Sequence, residues 1–343
     1  MKVAILSPVV WRTPPRKYGP WEQVASNITE GLLEKGIDVT LFATGDSITK
    51  GKLDYIIEKP YGENPELDVK VCECLHISNL MESASEFDII HNNYDFLPLT
   101  YSRLIKTPMV TTIHGFSSPK IIPVYKKYSD INYYVSISNS DRSPELNYIA
   151  TIYNGINEKE FTFREKQGDY LLFFGRIHPE KGTYECIQIA KNTGMKLIIS
   201  GLIQDEFYFK EKVEPYIDNE NIVYVGNSGP EKRNELLGGA YALLHPVSFE
   251  EPFGLSVVES YFCGTPVIAY NRGSMPELII DGKTGFLVSD INEAGESLKD
   301  VKNLNRKDCH TFAESNFTRS KMSGDYIEVY KRILKKNNQI ILK

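Results

Sequence analysis

Residues 249–269 read Phe249-Glu250-Glu251-Pro252-Phe253-Gly254-Leu255-Ser256-Val257-Val258-Glu259, then Ser260-Tyr261-Phe262-Cys263-Gly264-Thr265-Pro266-Val267-Ile268-Ala269. A Pro/Gly loop opens the stretch, a helical pattern follows, and a β-branched run closes it, the order of one αβ unit in a parallel sheet. Two carboxylates sit eight residues apart, Glu251 in the loop and Glu259 inside the helix. Gly254 permits close backbone approach, and the free N–H groups at the helix start make an anion site suited to a diphosphate. Glu259 lies further in, where a carboxylate can accept two hydrogen bonds from a ribose diol, as the acidic residue does in dinucleotide-binding folds.

Outward from this stretch the chain repeats the same grammar. In the first half, Val3 to Leu6, Val39 to Phe42, Asp88 to His91, Met109 to Ile113, Tyr133 to Ser138 and Ile149 to Tyr153 read as strands. Between the first two, Trp21, Val24, Ala25, Ile28, Leu32 and Leu33 recur at helical spacing, and Gly36 follows as a stop. The polar run Glu158 to Asp169 interrupts the pattern and reads as a linker. A second series then begins, with strands at Tyr170 to Phe174, Lys196 to Ser200, Ile222 to Val225, Ala242 to His245 and Pro266 to Ala269. Helical patterns cover Thr183 to Lys191, Asp205 to Tyr216, Glu231 to Leu237 and the last residues from Phe317. The expectation is an α/β chain of two Rossmann-like domains, residues 1–160 and 165–315, facing a cleft. A terminal helix over 316–343 follows. In such sheets ligands bind beyond the carboxyl ends of strands, so the loops after strands are where chemistry belongs.

Composition narrows the classes. The 343 residues are 41% hydrophobic and 24% charged with a net charge of -6, a globular balance that speaks against a protein binding nucleic acid by neutralising phosphates. No apolar run approaches the roughly 20 residues of a membrane span, and the N-terminus lacks a signal-peptide core, so a cytoplasmic protein is expected. The five cysteines form no C-x-x-C pair and the six histidines no H-E-x-x-H or H-x-H spacing, which leaves no metal signature.

Taken with Gly273-Ser274-Met275-Pro276-Glu277 and Asp281 to Val288, the stretch Glu251 to Ala269 resembles the donor-binding half of glycosyltransferase family 4, whose E-x7-E motif Glu251 and Glu259 match. The resemblance implies a GT-B fold and retention of the anomeric configuration. It implies that Glu251 contacts hydroxyls of the donor sugar, Glu259 the ribose, and the backbone of Phe253, Gly254 and Leu255 the phosphates. Gly175-Arg176-Ile177-His178-Pro179-Glu180-Lys181-Gly182 resembles the family's G-R-x-x-x-x-K-G loop. There Arg176 offers a planar fork of donors and Lys181 a point charge, together able to neutralise a departing nucleoside diphosphate in place of a metal. The chain has no D-x-D triplet, the usual metal–diphosphate handle of the other large glycosyltransferase fold.

In the N-terminal half, Tyr18-Gly19-Pro20-Trp21-Glu22 resembles the family's Y-G-G-x-E loop, with Gly19 against the donor phosphates and Pro20 replacing the second glycine. Pro20 removes one N–H donor, or simply opens the helix, where proline is favoured. His114, ending a strand, matches the active-site histidine. Asp88-Ile89-Ile90-His91 matches a mostly structural element, and Asn154-Gly155-Ile156-Asn157 the N-G-[IV]-D hinge, with Asn157 where Asp is usual. Ser200-Gly201 and Gly226 border the nucleobase in this reading. His245-Pro246 supports the donor loop, and the tyrosines from Tyr125 to Tyr134 serve strand and surface packing. Lys331 to Lys336 reads as a solvated helix end, with lipid-surface contact as the alternative.

The function implied is transfer of a hexose from a UDP- or GDP-sugar to an acceptor hydroxyl of a saccharide, a lipid-linked or a small-molecule acceptor. No cofactor, metal ion or nucleic acid is called for. The alternatives are a catalytically silent nucleotide-sugar binder, a phosphorylase and a sugar-nucleotide epimerase.

Overall fold

The computed structural model describes residues 1–116 and 118–341, with side chains to residue 337. The chain divides into two compact units, one of residues 1–155 and 319–343, the other of 156–318.

The first unit is built on seven parallel strands: β1 (Lys2–Leu6), β2 (Asp38–Phe42), β3 (Lys52–Asp54), β4 (Ile89–Asn92), β5 (Met109–Ile113), β6 (Asn132–Ser136) and β7 (Tyr148–Thr151). Their order across the sheet is β3-β2-β1-β4-β5-β6-β7. Strands buried on both faces need apolar residues throughout, which is why Val3, Ala4, Ile5 and Leu6 run without alternation and are all sealed from solvent. The chain reverses its winding between β1 and β4. Leu6 pairs with Asn92 there, so the loops after both strands open at one edge.

Pro20 is the first residue of the helix Pro20–Glu34, with Gly19 as its N-cap. Val24, Ala25, Ile28 and Leu32 bury one face of that helix. The helix Arg319–Ile341 packs beside it, Arg319 reaching Glu34 at 2.5 Å. Met322, Tyr326, Tyr330 and Ile333 supply its buried stripe. His91 anchors this stripe: its Nδ1 lies 2.7 Å from the hydroxyl of Tyr330 and its Nε2 2.7 Å from Thr112, which meets Tyr326 at 2.8 Å. Tyr125, Tyr128 and Tyr134 are buried in the core of this unit, so the expected surface packing of the tyrosine run gives way to interior packing.

The second unit repeats the plan with six parallel strands: β8 (Tyr170–Phe174), β9 (Lys196–Ser200), β10 (Ile222–Tyr224), β11 (Ala240–His245), β12 (Val267–Tyr270) and β13 (Gly285–Val288). The order is β10-β9-β8-β11-β12-β13, with the reversal between β8 and β11. β3 and β13 are strands beyond those expected from the sequence. β3 is three residues at an edge, and β13 begins on a glycine whose Cβ would lie 2.0 Å from the carbonyl oxygen of Val267.

Where periodicity predicts one helix over Asp205 to Tyr216, the chain forms a short α-turn at Glu206–Tyr208, a π-turn at Phe209–Val213 and a 3₁₀ turn at Glu214–Tyr216. Pro215, which has no N–H to continue the ladder, lies in the last of them. The polar run read as a linker folds into the second unit. Phe161 is buried, Glu160 pairs with Arg233 at 2.9 Å, and the carbonyl of Arg164 accepts from Arg306 Nε at 2.7 Å. Among the described residues no helix is long and apolar enough to cross a membrane.

Candidate active site

Chemistry-bearing residues of the second unit gather at the carboxyl ends of β8 and β11, the switch point of its sheet, where open α/β sheets hold ligands. Two loops meet there, residues 175–182 after β8 and 246–254 after β11. The N–H of Ser248 donates to the carbonyl of Glu180 at 2.9 Å. Gly182, at φ 76°, sits so close to the second loop that a Cβ would lie 2.2 Å from the carbonyl oxygen of Pro246. Only glycine adopts that backbone at that distance, and the stitch turns Lys181 toward Glu251.

Lys181 Nζ donates to Glu251 Oε2 at 2.5 Å and lies over the ring of Phe249, 4.6 Å from its centroid. The same Glu251 oxygen lies 3.6 Å from Nε2 of His245, the last residue of β11. All three side chains are largely withdrawn from solvent. Burial alone raises a carboxyl, but the Lys181 ammonium and the His245 imidazole overcome it and hold Glu251 down to about 2. The pair is therefore ionised. Behind Glu251, Gly273 (φ 58°) lies so close that a Cβ would be 2.3 Å from the Glu251 nitrogen, and the Ser274 N–H donates to the Glu251 carbonyl at 2.9 Å. Ser274 Oγ donates to the carbonyl of Phe253 at 2.6 Å. The Gly273-Ser274 turn thus buttresses the backbone of the loop that ends in Gly254, the N-cap of the helix Leu255–Phe262.

Arg176 turns the other way, to Oε1 of Gln204 on the β9 side, so the two cations of the loop flank the end of β8. Glu259 is buried in its helix and accepts from Arg233 Nη1 at 2.9 Å. Burial pushes the Glu259 carboxyl up against the pull of that guanidinium. Arg233 also lies over the Phe161 ring, 5.0 Å from its centroid. Beside β8, the carbonyl of Gly226 accepts from the N–H of Gly201 and from Ser200 Oγ, both at 3.0 Å. Arg233, Gln204 and Phe249 are not singled out by sequence reasoning. Their partners lie 26, 28 and 68 residues away, beyond any local pattern.

The first unit has its own switch point, at β1 and β4. His114, just past β5, stacks on Trp21 with centroids 5.8 Å apart and reaches Asn93 Oδ1 through Nε2 at 3.1 Å. Burial lowers His114 to about 3, leaving a neutral ring. Asn93 Nδ2 is buried without a partner. Asn93 follows β4, and its place at the end of a strand is the one signal that could have picked it out. Gly19 caps the helix whose Glu22 is buried, its carboxyl raised to about 7 by burial against the N–H donated by Trp11 at 3.1 Å.

Residues 156–319 match the family model described as glycosyl transferases group 1. The chain is 30% identical over 220 residues to an uncharacterized 41.2 kDa protein of the cps region of Klebsiella pneumoniae, the alignment covering 58% of this chain and 60% of that one. It is 29% identical to an uncharacterized glycosyltransferase of Methanocaldococcus jannaschii, over 62% of this chain and 64% of the relative. The chain thus spans less than two thirds of the length of either relative. Among solved structures, Anabaena HepE in complex with UDP and glucose is similar with a TM-score of 0.74 and 18% identity, covering 97% of this chain and 100% of that one. At that identity the likeness speaks for the fold, two parallel α/β units of the GT-B type.

Proposed function

We propose, from the match of residues 156–319 to the family model described as glycosyl transferases group 1, that the chain is a retaining, metal-independent glycosyltransferase. It moves a hexose from a UDP- or GDP-sugar to a hydroxyl of a carbohydrate, lipid-linked or small-molecule acceptor. The observation that carries the reading is the buried Lys181–Glu251 pair at the switch point of β8 and β11.

In this reading the donor diphosphate lies between Arg176, Lys181 and the N–H groups at the start of Leu255–Phe262, with Gly226 toward the base. Glu251 accepts hydrogen bonds from sugar hydroxyls and Glu259 from the ribose. As the bond from the anomeric carbon to the phosphate oxygen breaks, negative charge collects on the leaving diphosphate. Preorganised cations and backbone dipoles there act on the transition state more than on the ground state. The acceptor hydroxyl bonds to the anomeric carbon on the face the diphosphate leaves, and its proton passes to a leaving phosphate oxygen. His114, kept neutral by burial, is the first unit's candidate for a hydrogen bond to a hydroxyl.

The test is turnover of UDP- and GDP-hexoses by protein treated with EDTA, with the anomeric configuration of the product read by NMR. Release of free UDP or GDP only when acceptor is supplied, with retention, supports the reading. A requirement for divalent metal in the chemical step, or an inverted product, contradicts it. Release of sugar phosphate, or epimerised donor without transfer, would instead indicate a phosphorylase or an epimerase.

A further inference from the structure

Glu251 has two neighbours on one oxygen, and they are unequal. Lys181 makes a full ion pair at 2.5 Å, whereas His245 Nε2 stands 3.6 Å away, just beyond hydrogen-bond length. Apart from that long approach, Nε2 of His245 is buried without a hydrogen-bond partner, although buried ring nitrogens are ordinarily satisfied. His245 ends β11, held by three successive pairings of Leu243, Leu244 and His245 with β12, and the ring is aimed at the carboxylate from a rigid strand rather than from a loop.

The proposed function asks two things of Lys181 that conflict. It must hold the donor diphosphate, yet it is already paired with Glu251 at 2.5 Å. If the phosphates take Lys181, a buried carboxylate is left needing a donor, and leaving such a group unmatched is strongly unfavourable. The unpaired nitrogen of His245 is the nearest group able to supply one.

We propose that His245 is a positioning residue that takes over Glu251 from Lys181 when a nucleoside diphosphate binds. The Lys181–Glu251 pair is the contact for which the diphosphate competes. Diphosphate oxygens draw the ammonium away, the imidazole closes the remaining gap with Nε2–H donating to Oε2, and Glu251 stays ionised and aimed at the sugar hydroxyls. The proposal rests on the function reading above, and it adds an exchange of partners that couples phosphate binding to presentation of the sugar-binding carboxylate.

The experiment has two arms. In wild-type protein labelled with ¹⁵N-histidine, NMR follows His245 as UDP or GDP is added, with Glu251→Gln as the control. The expected result is an Nε2–H resonance that moves to the hydrogen-bonded range on nucleotide binding in the wild type and does not in E251Q. If nucleotide binds and the His245 signals stay put, the exchange is wrong while the function reading survives. If neither UDP nor GDP binds, the function reading falls and the exchange with it.

The second arm compares His245→Leu, which has no donor, with His245→Gln, whose amide can reach the carboxylate, both alone and on E251Q, with thermal unfolding checking the fold of each. H245L is expected to lower kcat by about 10- to 100-fold, the range for one hydrogen bond to a charged group, with donor KM little changed. H245Q restores most of that loss, and H245L costs little further on E251Q, because the effect runs through Glu251. Equal losses in H245L and H245Q, or an undiminished loss on E251Q, overturn the proposal.

Discussion

The two sheets wind alike and are furnished differently. Both reverse direction beside their first strand, β1 in one unit and β8 in the other, and both open their loops at the carboxyl edge. At the β8 and β11 edge the buried side chains are paired, Lys181 with the ionised Glu251 and, deeper, Arg233 with Glu259. At the β1 and β4 edge burial works against charge: His114 is lowered to about 3, Glu22 is raised to about 7 and Asn93 carries an idle amide nitrogen. Fixed charge suits a ligand that is itself charged and gains charge during reaction. Neutral donors and acceptors suit hydroxyl groups. One topology therefore supplies two kinds of edge, and the side chains after each strand decide which kind it is.

The strongest way to break this contrast is to remove the charge from the β8 and β11 edge. Lys181→Ala or Glu251→Ala is expected to lower kcat by roughly 1,000-fold or more, the scale of losing a transition-state charge contact in an excluded site. Steady-state kinetics on EDTA-treated protein checks it. His114→Ala, at the neutral edge, is expected to lower kcat by a smaller factor, about 10- to 100-fold, with UDP affinity unchanged by calorimetry.

The stitch between the two loops gives the next effect. Gly182→Ala forces a Cβ to 2.2 Å from the Pro246 oxygen at φ 76°, whereas Gly36→Ala has the same φ with open space around it. The first should cost about 3 kcal/mol or more and the second roughly 1 kcal/mol, read as denaturant midpoints. Equal costs would show that the loops are not held together as described.

The two buried glutamates differ in the sign of their pH dependence. Glu251 is held at about 2, below its ordinary 4.5, so its contribution to stability is present above pH 4.5 and fades as pH falls toward 2. Glu22 is raised to about 7, so its favourable contribution is complete below pH 4.5 and is lost as pH rises through 7. Glu22→Gln should therefore gain on the wild type by about 3 kcal/mol between those limits. Glu251→Gln should lose least at low pH. Thermal unfolding of the two variants across pH 3 to 8 reads both signs.

Most strands were legible because parallel strands buried on both faces must be apolar runs. The E-x7-E helix was legible because its loop, cap and carboxylates are contiguous. What stayed hidden was non-local. Arg233 serves Glu259 from another helix, Gln204 serves Arg176 from the next strand's loop, and Asn93 serves His114 across two strands. Apart from Asn93's place at the end of β4, nothing in their own neighbourhoods marks these residues. The break of Asp205 to Tyr216 into three kinds of turn escaped for a related reason, since Pro215 sits near the end of an otherwise regular apolar pattern.

The central claim is that the edge of β8 and β11 receives a nucleoside diphosphate through Lys181. Calorimetric titration of UDP and GDP into the wild type and Lys181→Ala, both in EDTA, tests it directly. The account predicts that at least one nucleotide binds the wild type and binds the variant about tenfold or more weakly. Equal affinity for wild type and variant, or no binding of either nucleotide, would contradict it.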